Sequence, residues 1–98
     1  MSKSHRLAWA AGFIDGDGYI GATKRIACKI KIHNSWIHIL NEFSDLIRNQ
    51  FNLYTPNAST TKLGYANIDI CEFEILKKLK RHTISNKLPV LERKWIKI

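Results

Sequence analysis

Asp15-Gly16-Asp17-Gly18 sets two carboxylates one residue apart, just after the longest apolar run of the chain, Leu7 to Ile14. Carboxylate oxygens are ligands for hard divalent cations. Magnesium keeps several of its waters, so one carboxylate with a neighbouring carbonyl can hold it. The interleaved glycines let the backbone turn while staying close to whatever the carboxylates hold. A bare Asp-x-Asp-Gly is a weak signal, because turns and calcium loops both use it. The calcium loop also needs a closing glutamate, and here the stretch runs through Lys24 and Arg25 to Lys29 without one. Cys28 and Cys71 show neither metal spacing nor a disulfide framework. They read as reduced thiols of a reducing compartment. His5, His38 and His82 stand at no zinc spacing from either cysteine.

Charge points to the partner. Lysine and arginine total 16 against 8 acidic residues, a net charge of +8 on 98 residues. Such a balance favours a polyanion, nucleic acid first and an anionic membrane second. No apolar run approaches the roughly 18 residues of a membrane span. The run at Leu7 to Ile14 also lacks the small-residue cleavage pattern of a secretory leader.

The elements that must position these groups follow from periodicity. Ser2 or Ser4 can cap a first helix over 5–16. That helix has no polar side in its apolar stretch, which predicts burial nearly all round. Ala8, Ala11 and Gly12 place small residues along one side, where a second backbone can approach closely. A domain this short buries only about 60–65% of its unfolded surface, so a partner is expected to cover part of the helix. Strands follow over 19–23 and 26–33, the second alternating Ile26, Cys28, Ile30 and Ile32 with Lys29, Lys31 and His33. Asn34-Ser35 opens a second helix with Trp36, Leu40, Phe43 and Ile47 at spacings of three and four. A loop and a short strand of open register occupy 52–61, and 65–71 alternates again. A third helix over 72–82 turns Phe73, Leu76 and Leu79 inward, and a last one begins near Pro89 with Leu91, Trp95 and Ile98 inside. The whole chain, 1–98, reads as one α+β domain: an antiparallel sheet with helices on one face.

The other sheet face is polar and basic. Tyr19, Gly21, Thr23 and Arg25 share it on the first strand, Lys29, Lys31 and His33 on the second, and Tyr65, Asn67 and Asp69 on the fourth. A β-ribbon fits the major groove of duplex DNA, where lysine and arginine read guanine, asparagine reads adenine and aspartate accepts from cytosine. Lys62 and other cations would hold phosphates. The run Lys77-Lys78-Leu79-Lys80-Arg81 reads first as a solvated helix face, with contact to a nucleic-acid backbone as the lesser alternative.

Ala10-Ala11-Gly12-Phe13-Ile14-Asp15-Gly16-Asp17-Gly18 resembles the signature of the LAGLIDADG homing endonucleases, in its common Gly-Phe-Ile-Asp-Gly-Asp-Gly form. The departure is Ala10, where leucine is usual. The resemblance covers essentially the whole chain as one αββαββα unit, and it implies that family's fold with a DNA-binding sheet face. It implies Asp17 as metal ligand and catalytic group, with the carbonyl of Gly16 as a second ligand, for Mg2+ or Mn2+ in its place. Asp15 is mainly structural by the same resemblance. A single motif implies a homodimer whose paired first helices meet through Ala8, Ala11, Gly12 and Asp15. The implied activity is site-specific hydrolysis of double-stranded DNA at a palindromic or pseudo-palindromic target, as in intron homing. Lys87, in the region ahead of the last helix, is a candidate for stabilising the phosphate, and His33 for holding a water. The expected location is intracellular, wherever the host DNA is, with no membrane partner and no small-molecule substrate. The alternatives are a non-cleaving binder of the same fold, an intron RNA maturase or a DNA-binding regulator, and one half of a two-motif enzyme.

Overall fold

A computed structural model describes residues 2–22 and 24–98. Helix α1 (Lys3–Asp17) runs into strand β1 (Gly18–Gly21), which pairs antiparallel with β2 (Ala27–His33). A single 3-10 turn (Asn34–Trp36) leads into α2 (Ile37–Phe51). Strands β3 (Ser59–Thr60) and β4 (Tyr65–Ile70) follow, then α3 (Phe73–Ser85) and the short α4 (Glu92–Trp95). All pairings are antiparallel and the sheet order is β1-β2-β4-β3. The expected α+β architecture, with its αββαββα core, is what the chain adopts.

One sheet face is the floor of the core. Ile20, Cys28, Ile30, Ala66, Ile68 and Ile70 alternate with exposed neighbours and are buried under the helices. From above come Leu7, Ala10, Ala11 and Ile14 of α1, Leu40, Phe43 and Ile47 of α2, and Ile75, Leu76 and Leu79 of α3. Trp95 of α4 closes one edge of this cluster at 2% exposure. No helix among the described residues is long and apolar enough to cross a membrane.

Ser2 caps α1 by accepting the His5 N–H at 3.2 Å. Its other end is set by steric contact. A Cβ on Gly18 would lie 2.6 Å from the carbonyl oxygen of Ile14, so glycine is what lets the chain leave the helix directly into β1. Asn52 ends α2 in the left-handed region, at φ 53°, a conformation asparagine tolerates better than most residues. The loop that follows is fastened to α2. Thr55 donates to the carbonyl of Ser44 at 3.0 Å, the Arg48 guanidinium donates to the carbonyl of Thr55 at 3.0 Å, and Ala58 N–H donates to Asn41 Oδ1 at 3.0 Å. These bonds deliver β3 in the register Ser59 opposite Asn67 and Thr60 opposite Ala66.

One chain leaves part of α1 uncovered, as expected: Gly12 and Gly16 are open, and Trp9 is 38% exposed. Three expectations need correction. Leu91 is 43% exposed rather than inside, because it precedes α4 as its N-cap residue. Trp36 belongs to the 3-10 turn and is 57% exposed, because α2 begins one residue later and the turn rotates the indole out of its apolar stripe. In α3 the inner face runs through Ile75, Leu76, Leu79 and Thr83, which leaves Phe73 at the rim with Lys77 Nζ 5.4 Å from its ring centre.

Candidate active site and nucleic-acid interface

The corner where α1 becomes β1 carries the acidic residues. Asp15 Oδ1 accepts the backbone N–H of Leu91 at 2.7 Å and the indole N–H of Trp95 at 2.9 Å. Two hydrogen bonds from α4 and its approach commit this carboxylate to a structural task, as the motif implied. Lys94 donates its amine to the carbonyls of Ile14, at 3.3 Å, and Asp15. Those carbonyls belong to the last turn of α1, where partial negative charge accumulates and a cation is favourable. Lys97 reaches the carbonyl of Ile20 at 3.0 Å and lies 5.1 Å from the Tyr19 ring centre. α4 and Lys97 just after it therefore clamp this corner with one indole and two ammonium groups.

Asp17, the last residue of α1, is exposed, and its carboxylate accepts no hydrogen bond and joins no ion pair among the described residues. No side-chain donor among them reaches the carbonyl of Gly16. No group of three or more histidine, cysteine or acidic side chains suited to a metal occurs among them either. One unengaged carboxylate beside a free carbonyl is a hard-oxygen donor set. It fits a cation such as magnesium that keeps waters and takes further oxygens from a phosphate or a second chain.

The polar sheet face adjoins this corner. Across it lie Tyr19 opposite Lys29, Lys29 opposite Asp69, Lys31 opposite Asn67, and His33 opposite Tyr65. Tyr19, Lys29, Lys31, His33, Tyr65 and Asp69 are exposed, and Asn67 is half-buried. Lys31 Nζ lies 4.6 Å from the Tyr65 ring centre, and Lys29 is within the same row as Asp69. Ser59 Oγ donates to Asn67 Oδ1 at 2.6 Å, leaving the Asn67 amine as the outward group. Gly21 closes β1 half-buried, where a Cβ would meet the Tyr19 ring at 3.2 Å. Arg25 stands exposed in the β1–β2 turn and Lys62 in the β3–β4 turn. Thr23 lies outside the described residues. The face deepens beside β3 and β4 into a groove of about 560 Å3 lined by Arg25, Tyr54, Asn57, Ser59, Asn67 and Asp69.

His33 sits at the end of β2 beside the start of β1, and its Nδ1 is engaged with Ser35, at 2.7 Å from the hydroxyl and 3.2 Å from the N–H. Its Nε2 remains outward. Lys87 occupies the turn after α3 at φ 52°, exposed, with its amine in no hydrogen bond among the described residues. The amine that meets the α1 corner is that of Lys94, which sequence reasoning overlooked together with Lys97, Ser59 and Tyr54. A signal existed for the clamp: a buried tryptophan needs an acceptor for its N–H, and Lys94 and Lys97 flank Trp95.

The open side of α1 is defined by Gly12 and Gly16, where an added Cβ meets nothing within 4 Å, with Ala8 half-buried beside them. Ala11 departs from the expected stripe. It is 0% exposed within its own chain, because the helical phase points it at the core, and it has no surface to offer a partner.

No family model and no curated protein matches the sequence. Solved structures do. The homing endonuclease I-CvuI, in complex with a DNA target in the presence of magnesium, superposes with a TM-score of 0.62 at 14% identity over 85% of this chain and 57% of that one. The LAGLIDADG meganuclease I-AabMI bound to uncleaved DNA gives 0.59 at 21% identity over 92% of this chain and 31% of that one. The homing endonuclease I-TnaI gives 0.55 at 20% identity over 90% and 63%. The chain thus spans between about a third and two thirds of the length of these proteins. It has the LAGLIDADG homing-endonuclease fold.

Proposed function

We propose that this chain is a member of the LAGLIDADG homing endonucleases, two copies of which pair through the open side of α1 and hydrolyse both strands of a palindromic or nearly palindromic DNA duplex. The observation that carries the reading is Asp17: an exposed carboxylate without a hydrogen-bond partner among the described residues, at a clamped helix end beside a basic sheet face. Support also comes from the DNA complexes and the divalent ions named for the structurally similar endonucleases.

Asp17 and the Gly16 carbonyl would hold Mg2+, or Mn2+ in its place. Such an ion, when bound, polarises a phosphodiester and lowers the pKa of water. The rest falls to the chain's own groups. Lys29, Lys31, Arg25 and Lys62 neutralise phosphates and set the salt dependence of binding. Tyr19, Gly21, His33, Tyr65, Asn67 and Asp69 complete the surface that meets the groove, and the amine of Asn67 donates to an acceptor on a base edge. Lys94 and Trp95 fix the helix end so that Asp17 is presented at one position. Lys87 supplies positive charge toward the phosphate, and His33 Nε2 orients a water. One unengaged carboxylate per chain makes pairing part of the site: Ala8, Gly12 and Gly16 let two α1 helices approach, which brings the two Asp17 groups to one stretch of duplex.

Asp17→Asn tests this directly. With target duplex selected from a randomised library, the variant should retain binding measured in calcium and lose cleavage in magnesium and manganese. Cleavage that survives the substitution removes Asp17 from the reaction. A wild-type chain that binds duplex tightly and cuts it with neither ion leaves a non-cleaving binder in place of the nuclease.

A further inference from the structure

At the far end of α1 from Asp17 lies a cavity of about 460 Å3 bordered by α1, α2 and α3 and lined by Lys3, Gln50, Lys78, Arg81, His82 and Ser85 above Leu7 and Phe51. A helix of 15 residues spans roughly 20 Å at its usual rise, so this cavity and the Asp17 corner cannot share one phosphate. Its lining contains three cations and no acidic residue. The first turn of α1, which supplies Lys3, has no acidic residue either.

The basic run of α3 divides here by use. Lys77 is paired with Glu74 at 3.0 Å, and Lys80 donates to the carbonyl of Ile98 at 2.6 Å. Lys78 and Arg81 are the two that line the cavity, and neither joins an ion pair or a side-chain hydrogen bond among the described residues. Lys78 Nζ lies 5.7 Å from the Phe51 ring centre, which keeps the ammonium over the apolar floor. His82 adds a further donor. The Asn86 amide lies 3.1 Å from His82 Nδ1 and donates to it, which places the ring proton on Nε2. That Nε2 is buried with no partner among the described residues. An unmet buried donor costs free energy, and a turn of the His82 ring into the cavity, beside the exposed Lys78 and Arg81, would let an oxyanion satisfy it.

We propose that this cavity is a second anion site, taking a phosphate group through Lys78, Arg81 and His82 with Lys3 at its mouth. The chemistry fits a phosphate with several free oxygens, since arginine offers a planar fork and lysine a point charge. The site stands independently of the nuclease reading: it lies on the helical side and uses none of the residues assigned to the sheet face.

The test is a titration of the full chain with inorganic phosphate, followed through the side-chain N–H signals of Arg81 and His82 by NMR at constant ionic strength. The expected result is a saturable shift of both signals in the wild type, with the His82 signal reporting binding about tenfold or more weaker in Arg81→Gln, where a charged donor is lost. Arg81→Lys should retain part of it, and Lys31→Gln on the sheet should leave it unchanged. A dinucleoside monophosphate and a 5′-phosphorylated nucleoside, run in parallel, assign the source. Tighter binding of the first identifies a nucleic-acid backbone and of the second a terminal phosphate. Shifts that fail to saturate, or that are the same in Arg81→Gln when its circular dichroism matches wild type, overturn the proposal.

Discussion

Gly12→Ala separates a lone chain from a paired one by the sign of its effect. In a single copy, Gly12 lies inside α1 and an added Cβ meets nothing within 4 Å. Alanine is favoured over glycine in a helix interior by about 0.8–1.0 kcal/mol. An unpaired domain of this size should therefore melt roughly 4–8 °C higher per kcal/mol gained. The helix gain is common to free and paired chains, so it cancels from association. What remains is the methyl group itself. If two α1 helices cross at Gly12, each copy adds a group to the closest contact, and overpacking costs about 1–3 kcal/mol per site. A two-fold axis counts that cost twice, so association should weaken by about 2 kcal/mol at the least, or roughly thirtyfold in Kd. Sedimentation equilibrium over a wide concentration range measures the Kd for both proteins without DNA. Melts at concentrations above and below the wild-type Kd then show the variant more stable where the wild type is unpaired, and that gain cancelled or reversed where it is paired. A variant that melts higher at every concentration, with association unchanged, places the pairing surface elsewhere. A wild-type chain that stays at 11.3 kDa throughout removes pairing altogether.

Three other outcomes test the corner and the core. Trp95→Phe shrinks the buried ring and removes the N–H that Asp15 accepts at 2.9 Å; of the loss seen in urea unfolding, the hydrogen-bond part of about 1–2 kcal/mol should disappear in an Asp15→Ala background while the packing part stays. Gly18→Ala brings a Cβ within 2.6 Å of the Ile14 carbonyl, which is backbone and cannot rotate away, so a loss of about 1–3 kcal/mol in the same assay should accompany weaker cleavage. Burial pushes the Cys28 thiol up to about 12 from an ordinary 9.0. The folded thiol thus keeps its proton where the unfolded one ionises, so its stabilising effect is complete below pH 9.0 and is lost as the pH rises toward 12. In native protein at about pH 8 a thiol reagent should modify Cys71 alone, and both cysteines in denaturant, with native reaction of two thiols refuting the assignment.

What the sequence made legible is what has a period. β2 and β4 alternate over seven and six residues with one face on the core, so the strands and their polar faces could be read before any coordinates. β3 is two residues long and offers no alternation, which is why its register needed the bonds from Asn41, Ser44 and Arg48 to the loop before it. Phase errors came from sets that fit a helix in two ways. Phe73, Leu76 and Leu79 share a spacing, but so do Ile75, Leu76, Leu79 and Thr83, and only packing on the sheet chooses between them. The acidic corner was legible through its motif, whereas the clamp offered only the signal of a tryptophan between lysines, with nothing to say what it meets. Its bonds join positions 77 to 80 apart, and a four-residue helix carries no periodic signature.

That clamp also imposes an order on how the domain is made. α1 emerges from the ribosome before α4, yet its C-terminal turn is fastened by Lys94 and Trp95, 80 positions further along the chain. Closing such a long loop is entropically slow beside forming the β1–β2 hairpin. The sheet can therefore gather under α1 while the Asp17 corner is still unfastened. The acidic corner is therefore expected to be among the last parts of the domain to acquire its shape.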